Sequence, residues 1–338
     1  MLIDYILAIE SSCDDTSVAI VSTDYKIISQ ITLSQLEHKS FGGVLPELAS
    51  RLHMRAIMLL TEQALVKAKL SFSDLSVIAV SINPGLIGSL IVGLSFAKSL
   101  AWGLNIPLIT VNHMLGHIFA NYLEHRDITP PYLSLIVSGG HTELVYFDSD
   151  IEFEYVGKTL DDAAGETFDK VAKILNLGYP GGPLIDKLSF SGNADFIKFP
   201  IALKQKDNYN FSYSGLKTSF IQFCLKQSPQ FIEEHKHDLC ASIQKAIIGQ
   251  LVIKTIRYAR LKKIKTILIG GGVAANSLLR QSMQDESAKI GAKVFYPNFS
   301  LCMDNASMIA AAAIPKYHNK QFSTLDTNAF SDKGTRLV

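Results

Sequence analysis

Two histidines four residues apart, His113 and His117 in the stretch VNHMLGHIFA, are the residues of this chain whose type and spacing most readily suggest chemistry. On a helix, positions i and i+4 share a face, so both imidazoles would aim at one point, a geometry suited to a single divalent cation. An ordinary helix with surface or core-satisfied imidazoles shows the same spacing, so a metal site needs further donors. The acids offer several. Asp304 stands ahead of an alanine-rich helix, where its position predicts an N-cap. Asp161, Asp162 and Glu166 enter the helical run TLDDAAGETFDKVAKIL, where carboxylates complement the helix dipole. Asp169 lies deeper in that run, and Asp186 follows the forced turn YPGGP.

The elements that must position these groups are punctuated by small-residue turns. ILAIE-SSCDDT-SVAIV predicts a hairpin over Ile6 to Val21, whose turn offers N–H groups and hydroxyls to an anion or a metal-bound phosphate. LSLIVSGGHTELVYF repeats that design; Gly139 and Gly140 are expected at positive φ, with bare backbone open to a ligand. Two such hairpins suggest two lobes on related plans. TILIGGGVAANSLL satisfies G-x-G-x-x-A through Gly270, Gly272 and Ala275, but Lys293 to Tyr296 runs into Pro297-Asn298-Phe299 without the acid that would hold a ribose. This argues against a dehydrogenase and leaves a helix N-terminus facing a nucleotide or phosphate.

At 338 residues, 48% hydrophobic and 19% charged, the chain reads as two compact domains. Cys13, Cys224, Cys240 and Cys302 have no ligand spacing and suggest reduced thiols in a cytoplasmic protein. Asp4 and Glu10 interrupt the apolar start, so no signal peptide is expected. Pro46 to Lys69 should be a helix after the break at Gly42-Gly43, Val77 to Ser81 a strand ending at Asn83-Pro84-Gly85, and Lys236 to Arg260 helical. Leu86 to Leu108 is the most membrane-like stretch, yet Gly88, Gly93, Gly103 and Lys98 make a buried helix the expectation. Lys198 to Lys265 carries 13 Lys+Arg against 4 Asp+Glu, a basic region suited to nucleic acid or polyphosphate, or a lysine-rich solvated face.

The motifs IESSCDD, FGGVLPELASRLH, NPGLIGSL, VNHMLGH, VSGGHTEL, DDAAGETFDK, YPGGP, FSYSGLKT, GGGVAAN and CMDNASMIA, in this order along nearly the whole chain, resemble the TsaD/Gcp (Kae/Qri) family of tRNA threonylcarbamoyladenosine synthesis. Asn83 departs from the glycine usual there, and the chain stops soon after Arg336. The resemblance implies an α/β, two-lobed actin-like ATPase (ASKHA) fold with duplicated mixed sheets flanked by helices. One lobe would span 1–129 with 306–338 and the other 130–305, closing over a nucleotide. It implies transfer of the threonylcarbamoyl group from threonylcarbamoyl-AMP to N6 of adenosine 37 in tRNAs reading codons that begin with A. Carried over by position, His113, His117 and Asp304 would hold one divalent metal, usually Fe(2+), with Zn(2+) compatible with the same donors. Ile136, Val137, Ser138, Gly139, Gly140, Asp169, Gly182, Asp186 and Asn276 would touch the acyl-adenylate. Glu10 and Asp14 are candidates for orienting the adenine amine or the metal's water. Implied partners are tRNA and, in bacteria, an inactive paralogue and a small P-loop ATPase; no membrane is implied.

Three other readings compete. A small-molecule kinase could use the same fold and would not need the histidine pair. A zinc protease of the H-E-x-x-H type would need Glu where Met114 stands. A non-catalytic nucleotide-binding assembly subunit could lose the three metal donors without cost, and this chain has all of them.

Overall fold

The computed structural model describes residues 4–41, 43–203 and 205–331; Gly42, Lys204 and Arg336 lie outside the described residues, as does everything beyond Ser331. The chain divides into one unit of Met1–Asp127 with Met303–Val338 and a second of Ile128–Cys302. Asp304, which the expected boundary gives to the second lobe, therefore groups with the histidines.

The first unit runs β1 (Tyr5–Glu10), β2 (Asp15–Ser22), β3 (Ile27–Ser34), α1 (Pro46–Ala68), β4 (Leu75–Asn83), α2 (Ile87–Leu104), β5 (Leu108–Asn112) and α3 (His113–Phe119). The second runs β6 (Tyr132–Val137), β7 (Thr142–Phe147), β8 (Phe153–Lys158), α4 (Ala164–Ile174), α5 (Gly181–Ser189), α6 (Ser214–Leu225), α7 (Pro229–Glu234), α8 (Lys236–Lys262), β9 (Thr266–Gly270), α9 (Ser277–Ala288), β10 (Lys293–Phe295) and α10 (Phe299–Cys302). The chain then returns to the first unit as α11 (Ala306–His318).

The strand orders, β3-β2-β1-β4-β5 and β10-β9-β6-β7-β8, are one plan used twice. In each, an apolar central strand pairs antiparallel with the next strand through a tight hairpin and parallel with a later strand on its other side. β1 and β6 can be apolar along nearly their whole length because both faces of a central strand in a helix-flanked sheet are covered. β3, at an edge, is buried or half-buried in its middle and ends exposed.

In the first unit Leu7, Ile9, Val18, Ile20, Ile78 and Val80 pack on Ile57 and Leu60 of α1 and Leu94 and Ala97 of α2. In the second, Leu133, Leu135, Val137 and Leu144 pack on Phe168 and Val171 of α4 and Ile243, Ile247 and Leu251 of α8. Each such fully buried aliphatic side chain contributes about 1.5–3 kcal/mol of transfer free energy.

α1 starts with Pro46 in its first turn and stops where Lys69 takes φ 57°, as expected. Both α2 and α8 are long and apolar enough by composition to cross a membrane. The apolar window of α8 is 83% buried, whereas that of α2 is only 33% buried. The expectation of a buried helix after Leu86 therefore fails: Leu90, Leu94 and Ala97 face the sheet, while Ile87, Ile91 and Trp102 face outward. Glycines bring this helix close to its neighbours: at Gly93 an added Cβ would collide with Ser11 Oγ, and at Gly88 it would lie 3.2 Å from Ser50 Oγ of α1.

Candidate active site

Asn112 is both the last residue of β5 and the N-cap of α3, its Oδ1 accepting from Met114 N and Leu115 N at 2.8 and 3.3 Å. That cap fixes the helix phase, so His113 and His117 share a face with ring centroids 4.8 Å apart. Gly116, between them, leaves room for α11: a Cβ there would lie 3.0 Å from both Met308 Cγ and Ile309 Cδ1.

The expected cap role of Asp304 is taken by its neighbour. Asn305 Oδ1 accepts from Met308 N at 3.0 Å, and Ala306 N donates to Ser17 Oγ of β2 at 3.0 Å. Asp304 is thereby released toward the histidines, its Oδ1 lying 3.3 Å from His113 Nε2 and 3.2 Å from His117 Nε2. The three ligand atoms fall within 4.8 Å of one another, and Asp304 keeps 28% of its side-chain exposure. Two metal bonds of about 2.1 Å at roughly right angles subtend about 3 Å, so the carboxylate–imidazole spacings suit one small cation with a side left open.

Glu10 does not face outward to a substrate amine. It is fully buried; Oε1 accepts from Ser12 N at 2.6 Å and Oε2 meets His113 Nδ1 at 3.0 Å. Ser12 Oγ lies 3.1 Å from the same nitrogen. A carboxylate behind an imidazole fixes the tautomer and leaves Nε2 for a cation. Burial opposes charge at all three groups, yet the His113 imidazole holds Asp304 well below and Glu10 below the usual carboxylate range. Against the same burial penalty, those two carboxylates hold His113 well above an ordinary imidazole. The buried Glu10 carboxylate and the partly enclosed Asp304 carboxylate thus call for a counter-charge, which imidazolium or a divalent ion can supply.

Asp14 sits half-buried in the turn beyond Glu10, its carbonyl accepting from Gln35 N at 3.0 Å. Asp15, next to it, has its carboxyl pushed up to about 6 by burial. The turn's other anchor was not legible in sequence: His53, mid-helix in α1, donates Nε2–H to Cys13 O at 2.9 Å and accepts from Thr16 Oγ1 on Nδ1 at 2.7 Å. Burial lowers its pKa, consistent with this neutral form. Gly85 closes against the same turn, where a Cβ would lie 2.5 Å from Ser12 O.

In the second unit the Ser138–His141 turn is closed by Ser138 N donating to His141 O at 2.9 Å. Neither Gly139 nor Gly140 has the expected positive φ, and nothing lies within 4 Å of a Cβ built on either. Their lack of side chain therefore matters for access, not backbone strain. The positive φ belongs to Gly271, at 87°, where a Cβ would sit 2.5 Å from Val137 O. Ile136 and Val137 have fully buried side chains and can meet a ligand only through their main chain. Gly165 packs α4 on the turn, its N donating to Ser138 O at 3.2 Å.

Asp169 Oδ1 accepts from Gly181 N at 2.7 Å, and Gly182 beside it is open. Asp186 and Asn276 are brought together. Asp186 accepts from Ser277 N at 3.0 Å, Ser277 Oγ at 2.7 Å and Asn276 Nδ2 at 3.2 Å, while Asn276 Oδ1 caps α9 through Leu279 N at 3.0 Å. Ser277 was missed in sequence because a serine after a cap residue carries no distinct signal.

Residues 26–311 match the profile of the family described as TsaD: tRNA N6-adenosine threonylcarbamoyltransferase. The chain belongs to this family. A protein of that name from Clostridium beijerinckii is 48% identical over 325 residues, 96% of each chain. One from Fusobacterium nucleatum subsp. nucleatum is 48% identical over 329 residues, again 96% of each. Among solved structures, full-length HypF in its phosphate- and nucleotide-bound form superposes with TM-score 0.63 at 13% identity, over 93% of this chain and 46% of that one. Component A of the Acidaminococcus fermentans (R)-2-hydroxyglutaryl-CoA dehydratase gives TM-score 0.55 at 13% identity, over 94% and 99%. The fold of this family member is the two-sheet, actin-like ATPase type.

Proposed function

We propose that this chain transfers the threonylcarbamoyl group from threonylcarbamoyl-AMP to N6 of adenosine 37 in tRNAs reading codons that begin with A. The observation that carries the reading is the convergence of His113, His117 and Asp304 in a chain aligned with its relatives over 96% of its length. Those three residues would hold one divalent ion, Fe(II) in this reading with Zn(II) suited to the same donors. When bound, the ion polarises the carbamoyl carbonyl and offsets the charge that develops as AMP leaves.

The remaining work falls to the chain's own residues. Glu10 orients His113 through Nδ1. The open backbone of Ser138, Gly139, Gly140 and Gly182, the main chain of Ile136 and Val137, and the polar groups of Asp169, Asp186 and Asn276 would receive the acyl-adenylate. An exocyclic adenine amine is a weak nucleophile, so holding it in line with the carbonyl carbon contributes more than removing its proton. As the N–C bond forms, the C–O bond to the phosphate breaks and the surplus N6 proton departs; Asp14 is the candidate for guiding it.

Partner readings rest on surfaces. Exposed Met54 and Met58 on α1, and Ile87 and Ile91 on α2, give two packed helices an apolar outer face that supports docking of the inactive paralogue, with the P-loop ATPase joining that assembly. Arg260, Lys262 and Lys263 at the end of α8 support a tRNA-facing role. Mass spectrometry of tRNA nucleosides tests the function. Depletion of the protein should remove threonylcarbamoyladenosine from tRNA, and wild-type but not Asp304→Ala protein should restore it; unchanged nucleoside levels on depletion would overturn the reading.

A further inference from the structure

Gln244, in the middle of α8, is buried at 3% exposure, and its Oε1 accepts from Asn276 Nδ2 at 2.9 Å. The second proton of the same amide goes to Asp186 Oδ1 at 3.2 Å. Both donors of Asn276 are thereby spent on two acceptors, while its Oδ1 takes Leu279 N. An asparagine amide has two nearly isosteric orientations, and only one satisfies all three partners. The flipped form would set carbonyl oxygen against Gln244 Oε1 and Asp186 Oδ1, two repelling contacts in a buried place. Leu279 N and Asp186 already select that orientation, and Gln244 supplies the second acceptor, without which one Asn276 N–H is left unpaired in a buried place and the Asn276–Asp186 pair is held less firmly.

We infer that Gln244 is a positioning residue for the acyl-adenylate: with Asp186 and Leu279 N it holds the Asn276 amide so that Asn276 Oδ1 and Asp186 Oδ2 remain the acceptors with capacity to spare for donor groups of the nucleotide. The inference rests on the proposal that Asp186 and Asn276 touch that ligand. Gln244 itself makes no ligand contact and acts through Asn276.

The test is a double-mutant cycle read by calorimetric titration of AMP into the full-length, metal-loaded chain, with kcat and KM for threonylcarbamoyl-AMP measured alongside. Gln244→Met keeps the volume and removes the acceptor. It should weaken AMP binding and raise KM by roughly five- to tenfold, the effect of one hydrogen bond, with kcat within about twofold. In an Asn276→Ala background the same change should add less than about twofold, since a residue acting through Asn276 has nothing left to orient. Should Gln244→Met melt early, Gln244→Asn withdraws the oxygen by one methylene and reads the same quantity. Additive effects, or a Gln244→Met protein with wild-type AMP affinity, would overturn the role of Gln244. An Asn276→Ala protein that binds AMP normally would instead overturn the assignment of the ligand site.

Discussion

Replacing Glu143 by glutamine should change how stability depends on pH. Glu143 lies in β7, its backbone paired with Ile136 on one side and Lys158 on the other. Its side chain is buried and Oε2 has no hydrogen-bond partner among the described residues. Burial pushes the carboxyl from 4.5 up to about 7, with Lys158 opposing only in part. The folded state thus holds the proton to higher pH than the unfolded chain does. Its contribution to stability is complete below pH 4.5 and is lost as pH rises through about 7. Between pH 5 and pH 8 the loss amounts to roughly 2–3 kcal/mol. Glutamine cannot ionise. Any fixed cost of burying its amide is the same at every pH, so the informative quantity is the divergence of the two curves. For a unit of this size a kcal/mol corresponds to about 2–4 °C, so the Tm of Glu143→Gln minus that of the wild type should grow by roughly 4–12 °C from pH 5 to pH 8. Paired thermal melts by circular dichroism at several pH values measure it. Parallel curves would show that Glu143 is solvated or paired in solution, and the burial argument would fail.

His117→Ala should abolish stoichiometric metal binding, whereas Glu10→Gln, which keeps the shape behind His113, should weaken it by about 10–100-fold, both read by chelator competition. Wild-type affinity should also fall as pH is lowered, because binding must displace the proton that Glu10 and Asp304 hold on His113. Gly140→Val should fold and load metal normally, since neither φ nor space forbids a side chain there, yet fail to bind a non-hydrolysable threonylcarbamoyl-AMP analogue in calorimetry; normal binding would reduce the turn to a hairpin. Reversing Arg260, Lys262 and Lys263 should weaken tRNA binding and flatten its salt dependence by about 0.7–0.9 in log-log slope for each phosphate no longer neutralised, measured by filter binding. Lys265 is a poor choice for that test, because its Nζ donates to Ile290 O at 2.8 Å.

Local periodicity made the two hairpins, α1, α8 and the shared face of His113 and His117 legible, since each depends on residues close in sequence. Failures came where a distant partner decides. Asp304 and Asn305 are both good cap formers, and only the packing of α11 on α3 and β2 assigns the cap to Asn305. Glu10 reads as a turn carboxylate until β5 delivers His113 beside it. Gly139, Gly140 and Gly271 look alike in sequence, yet only Gly271, crossing Val137, takes positive φ. The apolarity of α2 was visible but not its direction, because an outward apolar face has the same composition as an inward one. In the basic region, Lys217, Lys236 and Lys245 are occupied by Asp162, Glu233 and Asp195, and Lys254 by the carbonyls of Leu203 and Asn208, so net charge overstated the cations available to a polyanion.

The excursion of the chain out of the first unit at Asp127 and back at Met303 orders events on the ribosome. At elongation rates of about 5–20 residues per second, the second unit emerges whole during a window of roughly ten to thirty-five seconds in which the first still lacks α11. Throughout that window β1, β2 and α3 wait without the helix that packs on them, and the two imidazoles wait without their carboxylate. The contiguous unit can therefore mature co-translationally, while the discontinuous one closes only after the whole second unit has been made. A nascent chain arrested before Asp304 would expose a sheet face that lacks its helix and could not complete the His113–His117–Asp304 cluster, so completion of that cluster doubles as a report that translation has passed the second unit.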